Sequence, residues 1–364
     1  MALVSSRTEL CCESTDCKSF IAWKRVRSLQ EILIQKHRAG VKADCKQRLI
    51  CYHRLIGVKL PRGISSTARA AGRNILWLAF LSAASFAQSP SVSSYRDPVD
   101  LVRKAVQNEV KATADDYFMF RGVKTTSKGS TTKLYVETKE ATAGLVIAYD
   151  GKPLTQDQRQ GEQDRLERFV KNPEELRKKR AQEHDDADRT TRIVRALPDA
   201  FLFEYAGEEP GSTGIGKPGE PLVKLKFRPN PDYHPPSHVE EVLTGMQGHI
   251  LVDAHRFRIA SIDGTLFKPV GFGWGILGHL DRGGHFIVHQ QEVEDNCWEI
   301  SSMTVNFTGK ILLFKNLFIE STEVFTGFKR VSSDLSFAQA IDLLKKEESA
   351  LAGNHASAAL AQKR

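Results

Sequence analysis

Apolar and polar positions alternate along this chain with two different periods. Val99, Val102, Ala105, Val106 and Val110 recur at spacings of three and four, which predicts a helix with one apolar face. Asp97 is placed to cap it, with Pro98 at its first helical position. The period then drops to two. Residues 117–125, 132–138 and 144–149 are rich in β-branched and aromatic side chains and predict three strands. Leu134 and Val136 alternate with Tyr135 and Glu137, as in a half-buried antiparallel strand. Residues 155–197 return to a helical pattern. Leu166, Phe169 and Val170 form its first apolar edge. Asn172-Pro173-Glu174-Glu175 restarts the helix with a cap, a proline and two acids in the first turn. From Arg177 to Arg192 only alanines interrupt the polar residues, and neither charge sign dominates, which predicts a solvated helix face. Ile193, Val194 and Leu197 return to the core, and Pro198 is expected to stop the helix.

The second half reads mainly as strands. Phe201, Phe203 and Tyr205 alternate with Leu202, Glu204 and Ala206, and Val223, Leu225 and Phe227 with Lys224, Lys226 and Arg228. Residues 249–252 and 257–266 predict a hairpin turning at Asp253-Ala254-His255-Arg256. Three more strands are expected at 285–293, 298–307 and 311–321, with turns at Arg282-Gly283-Gly284 and Thr308-Gly309-Lys310. Leu312-Leu313-Phe314 and Leu317-Phe318-Ile319 are apolar on both alternating faces, so the strand must be covered on both sides. A helix at 336–351 closes the pattern, with Phe337, Ile341, Leu343 and Leu344 inward, followed by a loose tail over 352–364. Together these elements predict a single α+β domain over 97–351. It holds roughly ten antiparallel strands, flanking helices and one long charged helical insertion.

The stretch 69–88 follows neither pattern. Arg69 and Arg73 precede a short apolar run beginning at Ile75, and Ser85-Phe86-Ala87 places small residues before a cut at Gln88. This is the tripartite form of a secretory signal peptide at 69–87, followed by a polar linker at 88–96; the competing reading is an uncleaved membrane anchor. Charge and cysteine both change there. Residues 1–73 carry 15 Lys+Arg against 5 Asp+Glu, and the remainder carries 37 against 39. The overall charge of +8 therefore resides in the leader and gives no reason to expect a nucleic-acid partner for the folded part. Cys11, Cys12, Cys17, Cys45 and Cys51 precede the signal, and only Cys297 follows it, so no disulfide holds the domain. The leader cysteines and His53 do not have zinc-finger spacing. The expected product is periplasmic or secreted, with no stable membrane anchor once the signal peptide is cleaved. Translation is expected to start near Val58, leaving residues 1–57 outside the working protein; tryptic peptides from 19–48 in cells would refute this.

Candidate chemistry is sparse. His279, His285 and His289 lie close in sequence, but His285 and His289, four apart on a strand, are about 13 Å apart, too far for one metal ion unless the strand bends. Asp263-Gly264-Thr265 and Asp281-Arg282-Gly283 are better read as turns, and whether Asp253, Asp263 and Asp281 converge is left to the tertiary structure. No G-x-S-x-G is present, and nothing calls for a cofactor, so an enzyme is not expected. The most distinctive run is Gly271-Phe272-Gly273-Trp274-Gly275-Ile276-Leu277-Gly278. It fits either an apolar lip over a cavity or a tight crossover that plugs the core.

The helix, the long β run and the segment from Gly248-His249-Ile250-Leu251-Val252-Asp253 to Arg258-Ile259-Ala260 resemble the periplasmic lipoprotein-carrier group, the LolA-like fold. A similar likeness extends to a family of uncharacterised exported bacterial proteins. The LolA-like resemblance implies a curved sheet, an open half-barrel with helices over its mouth. It implies a non-enzymatic role in binding a hydrophobic ligand or a lipid-modified partner. The candidate lining is Phe272, Trp274, Ile276, Phe286, Leu313 and Phe318. The alternatives are an envelope interaction or sensor module with a filled core, and a hydrolase or metal enzyme using the histidines above.

Overall fold

The computed structural model describes residues 97–111, 116–272, 278–311 and 315–361. The signal peptide, leader and linker expected before Asp97 lie outside the described residues.

Helix α1 (Pro98–Lys111) starts where the capping pattern places it: Val99 N–H donates to Asp97 Oδ1 at 2.8 Å. Leu101, Val102, Ala105 and Val106 form its buried face. Glu109 lies three residues beyond Val106, on that same face, and is also buried. Strands β1 (Tyr117–Thr126), β2 (Gly129–Val136), β3 (Ala143–Tyr149) and β4 (Lys152–Pro153) follow as a meander. The insertion is two helices, α2 (Gln156–Lys171) and α3 (Pro173–Ala200). Thr155 and Gln158 form a capping box on α2, and Asn172 Oδ1 accepts from the N–H groups of Glu174 and Glu175 to start α3. Pro198 does not stop α3. It sits in the last turn, where one missing N–H disrupts only the helix end.

Strands β5 (Phe201–Pro210) and β6 (Pro221–Pro229) come next, then a 3-10 turn (Glu240–Gly245), β7 (Met246–Asp253) and β8 (Arg258–Leu266). The chain finishes with β9 (Val270–Phe272), β10 (Gly278–Leu280), β11 (His285–Glu294), β12 (Cys297–Ile311), β13 (Lys315–Val331) and α4 (Phe337–Ala361). Helix α4 runs well past Asn354, where a loose tail is expected.

Among the described residues thirteen strands form one antiparallel sheet, rather than roughly ten. Its order is β4-β3-β2-β1-β13-β12-β11-β8-β7-β6-β5, with β10 beside β12 and β9 beside β10, and its two ends do not meet. The fold is thus α+β with an open sheet. Part of the excess comes from one broken hairpin. Thr265 faces His285, and Phe272 faces Gly278, in the same register. β8–β9 and β10–β11 are therefore its interrupted arms.

Strand β12 runs straight through Thr308-Gly309-Lys310, where a turn is expected. Gly309 pairs with Leu317 on one side and Leu280 on the other. A Cβ there would strike the His279 carbonyl, so this glycine serves close backbone approach rather than a turn.

Helices cover different faces at the two ends of the sheet. The main core joins α1, the end of α3 and the 3-10 turn to β5–β8, and continues through β11, β12 and β13. On the other face, α2 and α4 bring Leu166, Phe337, Ile341 and Leu344 onto Met119, Leu134, Val136 and Leu145. β1 serves both cores, because Phe118 and Phe120 join the first and Met119 the second.

Candidate functional site

Strand β13 sets the site. Its buried positions are Leu317, Ile319, Ser321, Glu323 and Phe325, alternating with more exposed residues. The period of two places all five on the inner face. Across the ladder, Ile319, Ser321 and Glu323 face Phe307, Val305 and Met303 of β12, and the last two of these face Phe286 and Val288 of β11. On the other side, Glu323 faces Lys124 and Phe325 faces Gly122 of β1. A Cβ on Gly122 would meet the rings of Tyr135 and Phe325, so this glycine makes room for the aromatics. Tyr135 stacks on Phe120 at 5.0 Å between ring centres, and Phe120 meets Phe325 edge-on at 5.8 Å.

Ser321 and Glu323 thus interrupt an apolar row. Ser321 Oγ is buried without a hydrogen-bond partner. Glu323 Oε1 lies 2.9 Å from Lys124 Nζ, an ion pair that lacks the alignment of a hydrogen bond. The Lys124 side chain is 37% exposed and that of Glu323 is 10% exposed, so the row reaches solvent beside β1.

The expected lining residues fall into three groups. Phe272 and Phe286 are partly buried against the main core. Phe318 faces the other way: it alternates with the buried Leu317 and Ile319 and is 59% exposed, so it does not join them. Trp274, Ile276 and Leu313 lie outside the described residues.

The histidines do not converge. His279 Nε2 is 3.2 Å from Asp281 Oδ1, and His285 Nε2 is 2.8 Å from Asp263 Oδ1. His289 Nδ1 is 3.0 Å from Ser261 Oγ. Burial pulls the His289 pKa below the usual histidine range, opposed by the negative charge of Asp263. Ser261 and His289 make a hydroxyl–imidazole contact, but the hydrogen bond of Asp263 goes to His285 and does not orient His289 as a triad requires. No group of three His, Cys, Asp or Glu residues among the described residues is placed to hold a metal ion. Asp253 holds its own turn: Oδ1 accepts from the N–H groups of His255 and Arg256, both at 2.9 Å. Asp263-Gly264-Thr265 is not the expected turn but lies within β8, paired to β7 and β11 on its two sides. Asp281 accepts from Thr308 Oγ1 at 2.8 Å.

Cys297 is enclosed by charge. Its thiol lies 3.0 Å from Asp116 Oδ2 and accepts from Arg330 Nη2 at 2.9 Å. Burial raises its pKa and Asp116 adds to that, while Arg330 opposes both. The net shift keeps it a thiol rather than a nucleophilic thiolate.

One buried charged pair escapes the sequence reading. Glu109 Oε1 accepts from Arg258 Nε at 2.9 Å and from Ile259 N–H at 2.9 Å, and Glu109 Oε2 accepts from Arg258 Nη2 at 3.1 Å. The Arg258 guanidinium lies 5.7 Å from the centre of the Trp298 ring. The signal was the placement of Glu109 on the apolar side of α1. The pair ties that helix to the start of β8.

No helix among the described residues is long and apolar enough to cross a membrane. In comparisons with known proteins, no family model, curated sequence or solved structure matches the chain.

Proposed function

We propose that this is an exported, non-enzymatic protein that holds a hydrophobic ligand or a lipid-modified partner on the inner face of a curved sheet, an open half-barrel of the lipoprotein-carrier type. The observation that carries this reading is the face made by β11, β12, β13 and β1. Apolar side chains run across it, and Ser321 Oγ is buried on it without a partner. Helix α1 makes its main sheet contacts with β5, β7 and β8, and α3 with β5. These side chains are buried within the chain itself, so on this reading the face opens to admit a guest, with Ser321 among the polar groups that orient it.

A second reading, an interaction or sensor module with a filled core, is favoured by the near-complete burial of Met303, Val305, Phe307 and Ile319. Native mass spectrometry of the protein purified from the periplasm separates the two. Co-purified lipid is the expected result, and a clean apo mass after gentle handling supports the filled core. Amino-terminal sequencing of the same material should begin at Gln88.

A further inference from the structure

The sheet is joined in two parts along β8 and β11. Their ladder ties β5–β8 to β11–β13 and β1–β4. It is five residue pairs long, from Thr265–His285 to Ser261–His289, against ten between β12 and β13. Past Ser261 it stops. The register of β11 against β12 shifts between His289 and Gln290, and Gly216 takes the place of β8 there, its N–H donating to the Gln290 carbonyl at 2.7 Å. Ser301 Oγ lies against the carbonyls of both Gly214 and His289.

A histidine stands at each end of this seam. His285 Nε2 meets the Asp263 carboxylate at 2.8 Å, and His289 Nδ1 meets Ser261 Oγ at 3.0 Å. Acid acts on the two in opposite senses. A proton on His285 adds charge attraction to a bond already made to a carboxylate. A proton on His289 puts a charge on a half-buried ring and turns Nδ1 into a donor that no longer accepts the hydroxyl. Among the described residues, the titratable or charged groups around His289 are Asp263 on β8 and His249 opposite Asp263 on β7. Farther out are Lys224 on β6, which pairs with Glu209, and Lys217 of the 211–220 loop, which pairs with Glu292. β12 sets the uncharged Ser302 opposite His289, and Glu299 opposite Gln291 two residues on. Asp263 favours a proton on His289, but burial outweighs it and holds the imidazole below the ordinary histidine range. The proton binds more tightly once the ring is released to water, so acid favours the released form.

We infer that the seam is a proton-operated latch: uptake of a proton by His289 frees the Ser261 end of β8 from β11, while the Thr265–His285 end stays paired. Next to the freed end, Ile262 and Val288 face each other in the main core, so the latch opens the sheet toward its inner side. The latch does not depend on the binding reading, and it supplies the opening that reading requires.

Amide hydrogen exchange tests this, followed residue by residue by NMR on the purified protein at about pH 7.5 and about pH 5.5, either side of the ordinary histidine pKa. Protection factors remove the intrinsic pH dependence of exchange. In acid they should fall severalfold further at 259–262 and 288–291 than at 264–266 or through the β12–β13 ladder. His289→Asn keeps a polar side chain that takes up no proton and should abolish this extra fall, while His249→Asn should leave it in place. No extra fall at the Ser261–His289 end, an equal fall throughout the sheet, or a fall centred on Thr265–His285 overturns the latch, and these need only the wild-type protein. An extra fall that persists in His289→Asn, or that is lost in His249→Asn, overturns it as well.

Discussion

Removing Glu109 should damage this fold more than removing any surface charge. Glu109 is fully buried and Arg258 is 5% exposed. The Glu109→Ala protein would leave the guanidinium and the Ile259 N–H without the carboxylate that now accepts three hydrogen bonds from them. Breaking one side of a buried pair costs about 3–5 kcal/mol, against a total stability of about 5–15 kcal/mol for a domain. At about 2–4 °C per kcal/mol for a domain of this size, the midpoint should fall by about 6–20 °C. Exposed pairs such as Lys171–Glu167, with side chains 75% and 43% exposed, should contribute little, because water and salt screen them. The informative variant is the double replacement Glu109→Leu with Arg258→Met. It removes both charges together and should be far less destabilised than the sum of the single variants, with a coupling of about 2 kcal/mol or more. Urea unfolding followed by circular dichroism measures all four proteins. A Glu109→Ala loss below about 1 kcal/mol, or single losses that add up to the double loss, would refute the argument that the pair acts as one buried unit.

Three further outcomes are expected. His289 is held below its ordinary pKa by burial, so the unfolded chain takes up that proton first as pH falls. Its contribution is present above about pH 6.5 and is lost as pH drops through the folded-state pKa; His289→Asn should flatten urea stability between about pH 7 and pH 5. Asn172→Ala removes the side-chain acceptor for two N–H groups at the start of α3 and should cost about 1 kcal/mol, read by thermal melting; an unchanged midpoint would show that the cap is not holding the helix. Gly248→Ala places a Cβ against the Asp263 backbone, which a side-chain rotation cannot relieve. It should cost about 3 kcal/mol or more, and a wild-type unfolding curve would contradict the close approach of β7 and β8.

Local pattern was legible where it depends on neighbours in the chain. The caps at Asp97 and Asn172, the apolar stripe of α1 and the alternation of β2, β5 and β6 follow from side chains a few residues apart. The reading failed where a glycine or proline had a distant reason. Gly309 looked like a turn but accommodates the β10 backbone, and Pro198 looked like a stop but lies inside the last turn of α3. Phe318 illustrates the same limit: an apolar triplet does not say which of its members faces the core, and the register places Leu317 and Ile319 there.

The candidate site was less legible than the elements that build it. Ser321 looked like the end of a strand, yet the alternation from Leu317 to Phe325 was already in the chain and carries Ser321 and Glu323 inward. Composition and local periodicity determined that this chain makes an α+β domain, with helices at the ends, a charged insertion and many antiparallel strands. Tertiary structure decided that β13 lies between β1 and β12, that β8 lies beside β11, and that Lys124 meets Glu323. The physical reason is sequence separation. A cap or stripe is set by bonds within one or two turns, whereas a strand chooses its neighbour by the total apolar area the whole sheet buries, which no single segment encodes.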